Sequence, residues 1–294
     1  NKETASHITI ICFGIKFHIL RPELRKQRKS FSEKYNGIEN IKEIPKAQGN
    51  LRLIQLANLE LLKQFDKVCK ENSINYWLDF GTLLGAQRHK GFIPWDDDID
   101  IGMPRDDYEK FIQLFREELP MHPDLYCSFS CNGRNKCFIK LRHKKTNNIF
   151  IDIFPYDYAP SMTKEEKAVF SQKIAKLIKP KFFKYFKTEE ATRAHLRKIT
   201  KRLVNTDEKG SLFWGLDFPH KWANKVYDYS QIFPLKDILF EDTYFPAPNN
   251  PDEVLTSTYG NYMSIPRDVY PRHSQYNLHG SELELIKNFA KGEK

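Results

Sequence analysis

The feature that most constrains this chain is Asp96-Asp97-Asp98-Ile99-Asp100, an acidic run set between Phe92-Ile93-Pro94-Trp95 and Ile101. Carboxylates this close repel one another, and a half-buried row of them has raised pKa values or needs a cation. Ile99 and Ile101 alternate with Asp98 and Asp100. Period two therefore puts the isoleucines on one face of a strand, expected over 97–102, and the carboxylates on the other. Two aspartates projecting together from a strand end suit a hard divalent ion and leave positions for phosphate oxygens. A solvated acidic turn is the alternative, and the apolar neighbours on both sides argue against it.

Just upstream, Tyr76 to Asp79 reads as a short strand, and Gly81-Thr82 opens the helical segment Leu83-Leu84-Gly85-Ala86. A strand, a glycine that lets backbone approach closely and a hydroxyl at a helix start make a phosphate site from free N–H groups and the helix dipole. Alone, a Gly-Thr pair is ordinary turn chemistry. Followed by an Asp-x-Asp strand, the arrangement resembles the nucleotidyltransferase fold. The likeness is closer still along Leu78-Asp79-Phe80-Gly81-Thr82-Leu83-Leu84-Gly85-Ala86 and Arg88-His89-Lys90-Gly91-Phe92-Ile93-Pro94-Trp95-Asp96-Asp97-Asp98-Ile99-Asp100, which resembles the signature of the LicD family, to which the fukutin-related enzymes also belong. Phe150-Ile151-Asp152-Ile153-Phe154-Pro155 with Asp157, and Tyr259-Gly260-Asn261-Tyr262-Met263 with Pro266, are similar to later stretches of the same family, so the resemblance covers about residues 51 to 275.

That resemblance implies the activity. Relatives move phosphocholine or another alcohol phosphate from a CDP-activated donor to a sugar hydroxyl, so the expected donor is a CDP-alcohol, CDP-choline first, with CMP as leaving group. The expected acceptor is a bacterial surface glycan such as lipopolysaccharide, teichoic acid or capsule. Mg2+ or Mn2+ is the expected cofactor, held by Asp98 and Asp100 with Asp152 as the third carboxylate and candidate base. Gly81 and Thr82 are candidates to hold phosphates, with Arg88 or Lys140 adding positive charge. Asp152 lies between Phe150 and Phe154 and must be paired, metal-bound or protonated; pairing to Lys140 or Arg142 is the structural alternative. Asp157 reads as a turn residue. A choline head favours aromatic faces, and Tyr76, Trp77, Phe92 and Trp95 lie near in sequence, although such residues are more often core. A glycosyltransferase, whose Asp-x-Asp also binds a metal and a nucleotide, and a non-enzymatic membrane adaptor are the competing readings.

At 294 residues, with 40% hydrophobic and 14% aromatic side chains, the chain can bury a sizeable core in one or two domains. Its net charge of +9 has one location. Residues 163–203 hold thirteen Lys or Arg against four Glu, while the remainder holds 34 basic and 34 acidic residues. There Lys173, Lys176 and Lys179 interleave with Ile174, Leu177 and Ile178, and Lys181, Lys184 and Lys187 with Phe182, Phe183, Tyr185 and Phe186. This suits the solvated side of a helical subdomain, interrupted at Pro180, or peripheral contact with an anionic membrane. Nucleic acid is not expected, since no recognised nucleic-acid module accompanies the patch.

Five cysteines without framework spacing favour a reducing compartment. Fukutin-related relatives carry zinc, but Cys127, Cys131 and Cys137, with His143 or His122, do not have zinc-knuckle spacing. No apolar run approaches the ~20 residues that span a bilayer, so the expected location is cytoplasmic, peripheral on the inner face of the cell membrane. Because the chain opens on Asn1, a preceding signal or anchor is compatible with it.

The chain divides into an N-terminal hairpin and basic linker (1–50), a catalytic core (51–160), a basic helical subdomain (161–235) and a C-terminal segment packing back on the core (236–294). Leu51 to Glu71 is the best helix, with Leu51, Ile54, Ala57, Leu61, Phe65 and Val68 at three-four spacing, and its expected role is to cover the sheet. Asn132-Gly133 marks a hairpin, Asn148–Phe154 a strand, Phe240–Phe245 another, and Asn250-Pro251 a helix start. Arg267, Arg272 and His273 lie in a loop that, by family resemblance, returns toward the site. The predicted class is α/β (α+β): a nucleotidyltransferase-like mixed sheet flanked by helices, with a basic helical insertion.

Overall fold

The N-terminal hairpin forms as expected, β1 (His7–Cys12) pairing antiparallel with β2 (Ile15–Leu20). The computed structural model describes residues 7–12, 15–20, 41–116, 123–131, 137–177, 188–204, 207–217, 225–264 and 278–293. After a 3-10 turn at Ile41–Glu43 come α1 (Gly49–Glu71), β3 (Trp77–Leu78), α2 (Phe80–His89), β4 (Asp100–Pro104) and α3 (Arg105–Arg116). The hairpin β5 (Leu125–Cys131) and β6 (Cys137–His143) leads into the long β7 (Phe150–Ala159) and then α4 (Lys164–Leu177) and α5 (Glu189–Val204). The chain closes with β8 (Ser211–Trp214), β9 (Val226–Asp228), α6 (Tyr229–Ile232), β10 (Lys236–Phe240), β11 (Thr243–Ala247), α7 (Pro251–Tyr259) and α8 (Gly280–Ala290).

β7 is the axis of a seven-stranded mixed sheet. β4 runs parallel along one edge; on the other, β6 pairs with the first half of β7 and β8 with the second. Buried on both faces, β7 is a nearly unbroken apolar run, as a central strand must be. Its odd face aligns Ile153 with Ile101 and Ile139 and is covered by α3, with α1 beside it through Phe65 on Phe111. Its even face carries Asp152, Phe154 and Tyr156, and α2 lies there through Phe80 on Phe154. The basic helices α4 and α5 bury Phe170, Ile174 and Leu196 with Phe213 and Leu216 in a second, smaller core. Lys173, Lys176, Lys198, Lys201 and Arg202 stay exposed.

Four expectations are corrected. β4 begins at Asp100 rather than 97, because the backbone before it bonds side chains of α1 instead of a strand ladder. Asp157 is a β7 residue rather than a turn residue, held in the strand because Arg105 pairs with its carboxylate. Phe240 and Phe245 lie on two strands of a hairpin that turns at Glu241-Asp242, with Glu241 at φ +59°. Cys137 is disulfide-bonded, against the expectation of thiols throughout, while Cys69 and Cys127 are free. The linker Arg21 to Lys34, the aromatic run 182–186, Phe218, Trp222 and the loop with Arg267, Arg272 and His273 lie outside the described residues.

Candidate active site

The parallel register of β4 and β7 sets Asp100 opposite Asp152, and the antiparallel register of β6 sets Lys140 opposite Asp152. Directly opposed residues share a face, so one transverse row of the sheet reads Asp100, Asp152, Lys140. Asp98 joins from the segment before β4. Carboxylate oxygens of Asp98, Asp100 and Asp152 lie within 4.8 Å of one another, a grouping able to hold a metal ion. Lys140 Nζ contacts both oxygens of Asp152, Oδ2 at 2.7 Å, and stands 4.4 Å from the centre of the Phe150 ring.

One lysine does not neutralise this row. Burial, and then Asp98, Asp152, Asp96 and Asp79, push the Asp100 carboxyl well above the usual carboxylate range. A divalent cation would reverse that cost.

Against the row stands the N-terminus of α2. Thr82 Oγ1 accepts from the Asp100 N–H at 2.9 Å, fixing the helix start to the first residue of β4. A Cβ on Gly81 would lie 2.7 Å from Asp96 Oδ2 and 3.7 Å from Asp100 Oδ2, so a larger residue here would displace the Asp96 carboxylate. The preceding Phe80 has φ +39°, a strained conformation for a bulky residue. Its cap supports it: Asp79 accepts from the Phe80 N–H (2.9 Å) and the Tyr156 hydroxyl (2.6 Å), and donates its own N–H to the Asp100 carbonyl (3.0 Å). Burial pushes the Asp79 carboxyl up to about 6 despite those two bonds.

The structure thus brings Asp98, Asp100, Asp152, Lys140, Gly81 and Thr82 together. Arg88 stands at the edge of the site, within electrostatic reach of Asp96: it is buried, donates to the Tyr262 carbonyl at 2.6 Å and to His89 Nε2 at 3.0 Å, and ties α2 to the turn after α7. Burial lowers its pKa to about 10, with Asp96 acting in the opposite direction. Tyr76, Trp77, Phe92 and Trp95 are core residues, with Tyr76 donating to Asp66 and Trp77 filling the space above Gly102. The aromatic side chains beside the row are instead Phe80, Phe138, Phe154 and Trp214, packed on one another.

Sequence reasoning missed three residues at the site. Asp96 was readable from its place in the acidic run, and Asp79 from its position before a helix start, where aspartate is a preferred cap. Tyr259 closes α7, whose packing on α2 carries it to the site. Tyr259 is 39% exposed, yet the desolvation of its phenol and then Asp100, Asp79 and Asp96 raise its pKa.

The family model described as LicD/FKTN/FKRP, nucleotidyltransferase domain, matches residues 73–188, a span containing every side chain of the row. The lipopolysaccharide cholinephosphotransferase LicD of Haemophilus influenzae is 31% identical over 258 residues, covering 76% of this chain and 96% of that protein. The chain belongs to the LicD family. Within that family, the human ribitol 5-phosphate transferase FKRP is 30% identical over 89 residues, 30% of this chain and 18% of its own length. The mouse ribitol-5-phosphate transferase FKTN is 32% identical over 97 residues, 20% of its length. As a LicD-family transferase the chain has a mixed α/β fold and a phosphotransferase site, and no helix among its described residues is long and apolar enough to cross a membrane.

Proposed function

We propose that this chain transfers phosphocholine, or a similar alcohol phosphate, from a CDP-activated donor to a sugar hydroxyl of a bacterial surface glycan, releasing CMP. The observation that carries the reading is the convergence of Asp98, Asp100 and Asp152 beside Gly81 and Thr82. Those carboxylates fit a hard, oxygen-seeking ion, Mg2+ or Mn2+. Bound there, the ion supplies charge neutralisation for the phosphate oxygens and the leaving group.

The protein's own groups do the rest. The first turn of α2 offers N–H groups to the donor phosphates. Lys140 occupies Asp152 Oδ2 at 2.7 Å and so holds the carboxylate in place beside Asp98 and Asp100. The aromatic cluster of Phe80, Phe138, Phe154 and Trp214 walls the site on one side and excludes water. Phosphocholine is favoured because the Haemophilus relative matches most of the chain, whereas the FKRP and FKTN relatives, named for ribitol phosphate, match shorter stretches. The exposed lysines of α4 and α5 suit peripheral contact with an anionic membrane, to be tested by sedimentation with phosphatidylserine vesicles.

The deciding experiment incubates the protein with a panel of CDP-alcohols, Mg2+ or Mn2+ and a glycan acceptor, and measures CMP. CDP-choline should give metal-dependent release that chelation abolishes. Release of a nucleoside diphosphate from a nucleotide sugar, with no CMP from any CDP-alcohol, would establish the glycosyltransferase reading instead.

A further inference from the structure

α1 is an apolar helix with a polar line along it. Arg52, Gln55 and Asn58 are spaced three apart and share a side, and Gln55 and Asn58 are 1% and 0% exposed. A buried carboxamide is costly unless its polar atoms are paired. Here the partners are the backbone of residues 93–97, which lies outside any strand before β4. Gln55 Nε2 donates to the carbonyls of Ile93 (3.2 Å) and Asp96 (2.8 Å). Asn58 Nδ2 donates to the carbonyls of Asp97 (3.1 Å) and Asn148 (3.2 Å), and its Oδ1 accepts from the Phe150 N–H (2.9 Å).

Asn58 therefore clasps two separate chain segments. One leads to Asp98 and Asp100 and the other to Asp152, and the two segments meet directly where the Asp152 N–H bonds the Ile99 carbonyl at 2.8 Å. Arg52 braces the line by donating to Gln55 Oε1 (3.2 Å) and through two N–H groups to Glu241, whose carboxylate also takes the Phe92 N–H.

We propose that Asn58, backed by Gln55, is a positioning residue for the carboxylate triad, setting the gap between Asp98 and Asp152 in which a divalent cation sits. This rests on the reading of the triad as a cation site. Outer-shell partners of metal ligands typically change affinity by about 10- to 100-fold when removed. Mn2+ titrated into the full chain and followed by electron paramagnetic resonance should bind Asn58→Ala more weakly by that factor, and Gln55→Ala by less. Tyr108→Phe, which removes a buried hydrogen bond to the Ile139 N–H (3.1 Å), should leave Mn2+ affinity unchanged at a comparable loss of stability.

A second readout needs no metal: the amides of residues 96–100 should exchange with deuterium faster in Asn58→Ala than in Tyr108→Phe, while those of α5 do not. Parental Mn2+ affinity in folded Asn58→Ala, or equal exchange at 96–100, overturns the proposal. If Asn58→Ala does not fold, Gln55→Ala carries the same two tests. If the parent itself binds no Mn2+, the cation reading has failed, and exchange at 96–100 alone decides the positioning role.

Discussion

β7 carries two buried aspartates five residues apart, and therefore on opposite faces, and the chain treats them differently. Asp157, 6% exposed, meets Asp217 on the odd face, and Arg105 lies between them. Its Nε and one terminal nitrogen reach Asp157 at 2.8 Å each, and its other terminal nitrogen reaches Asp217 at 3.1 Å. Asp152, 7% exposed, meets Asp98 and Asp100 on the even face and pairs with Lys140. The first cluster has its cation built in as a planar guanidinium matched to two carboxylates. The second gathers three carboxylates within 4.8 Å of one another, and burial together with Asp98 and Asp152 raises Asp100. Equal burial thus accompanies different surroundings: a guanidinium set between two carboxylates on one face, and three carboxylates close enough to share a cation on the other.

The comparison can be broken by removing one charge from each side. Asp100→Asn or Asp98→Asn should lower CMP release by on the order of 10^3-fold, since a Lewis-acid contact contributes several kcal/mol to the transition state. The melting temperature should hold or rise, because a buried repulsion is relieved. Retained turnover would remove the triad from the chemistry. Arg105→Met should do the reverse: it leaves two buried carboxylates unpaired, at a cost of about 3–5 kcal/mol in urea denaturation, while Mn2+ binding by the folded fraction is unchanged. A smaller effect comes from filling the carboxylate triad. Mn2+ at about 100 times its dissociation constant should stabilise the parent by about 2.7 kcal/mol, seen as a rise in melting temperature that Asp98→Asn lacks.

The two aspartates also mark how far sequence reading reaches. Alternation of Ile99 and Ile101 with the acidic residues placed Asp98 and Asp100 together, and the apolar run around Asp152 made it an inward carboxylate with a required partner. Both are local patterns, and both survive in the fold. Asp157 sits after Pro155 in a stretch whose ending is not written locally, and Arg105, fifty-two positions away, decides its role. The same limit hides α1, where periodicity finds the apolar stripe but nothing nearby shows that Gln55 and Asn58 bond the backbone of residues 93–97 and 148–150. Arg88 reads as a phosphate contact because it lies beside the motif, yet its partner, the Tyr262 carbonyl, is supplied from beyond α7. Periodic and contiguous signals were legible, as was the nearby pairing of Asp152 with Lys140, whereas the pairings of Asp157, Gln55, Asn58 and Arg88 across longer separations were not.

Glu241 extends the comparison to a carboxylate with more positive charge than it needs, and the expected effect there is the smallest. It sits at the β10–β11 turn, receives Arg52, Lys46 and the Phe92 N–H, and closes on Gly91, where a Cβ would lie 2.4 Å from its Oε1. Burial raises its pKa, but the bonds from Arg52 and Lys46 outweigh that and hold it at about 2, against an ordinary 4.5. A carboxylate depressed by folding contributes stability above its unfolded pKa and loses it as pH falls through the folded one. The difference in unfolding free energy between parent and Glu241→Gln should therefore be constant above about pH 4.5 and shrink between there and about pH 2. Asp79 has the opposite sign: raised to about 6, it favours the fold as pH drops from 6 toward its ordinary 3.8. Urea titrations of the parent, Glu241→Gln and Asp79→Asn across pH 2.5 to 7 separate the two, because the differences relative to the parent must bend in different pH windows. A Glu241→Gln difference that stays flat to pH 2.5 would mean that Arg52 and Lys46 do not hold Glu241 as an ion pair. The loop before Asp96 would then depend on α1's carboxamides alone.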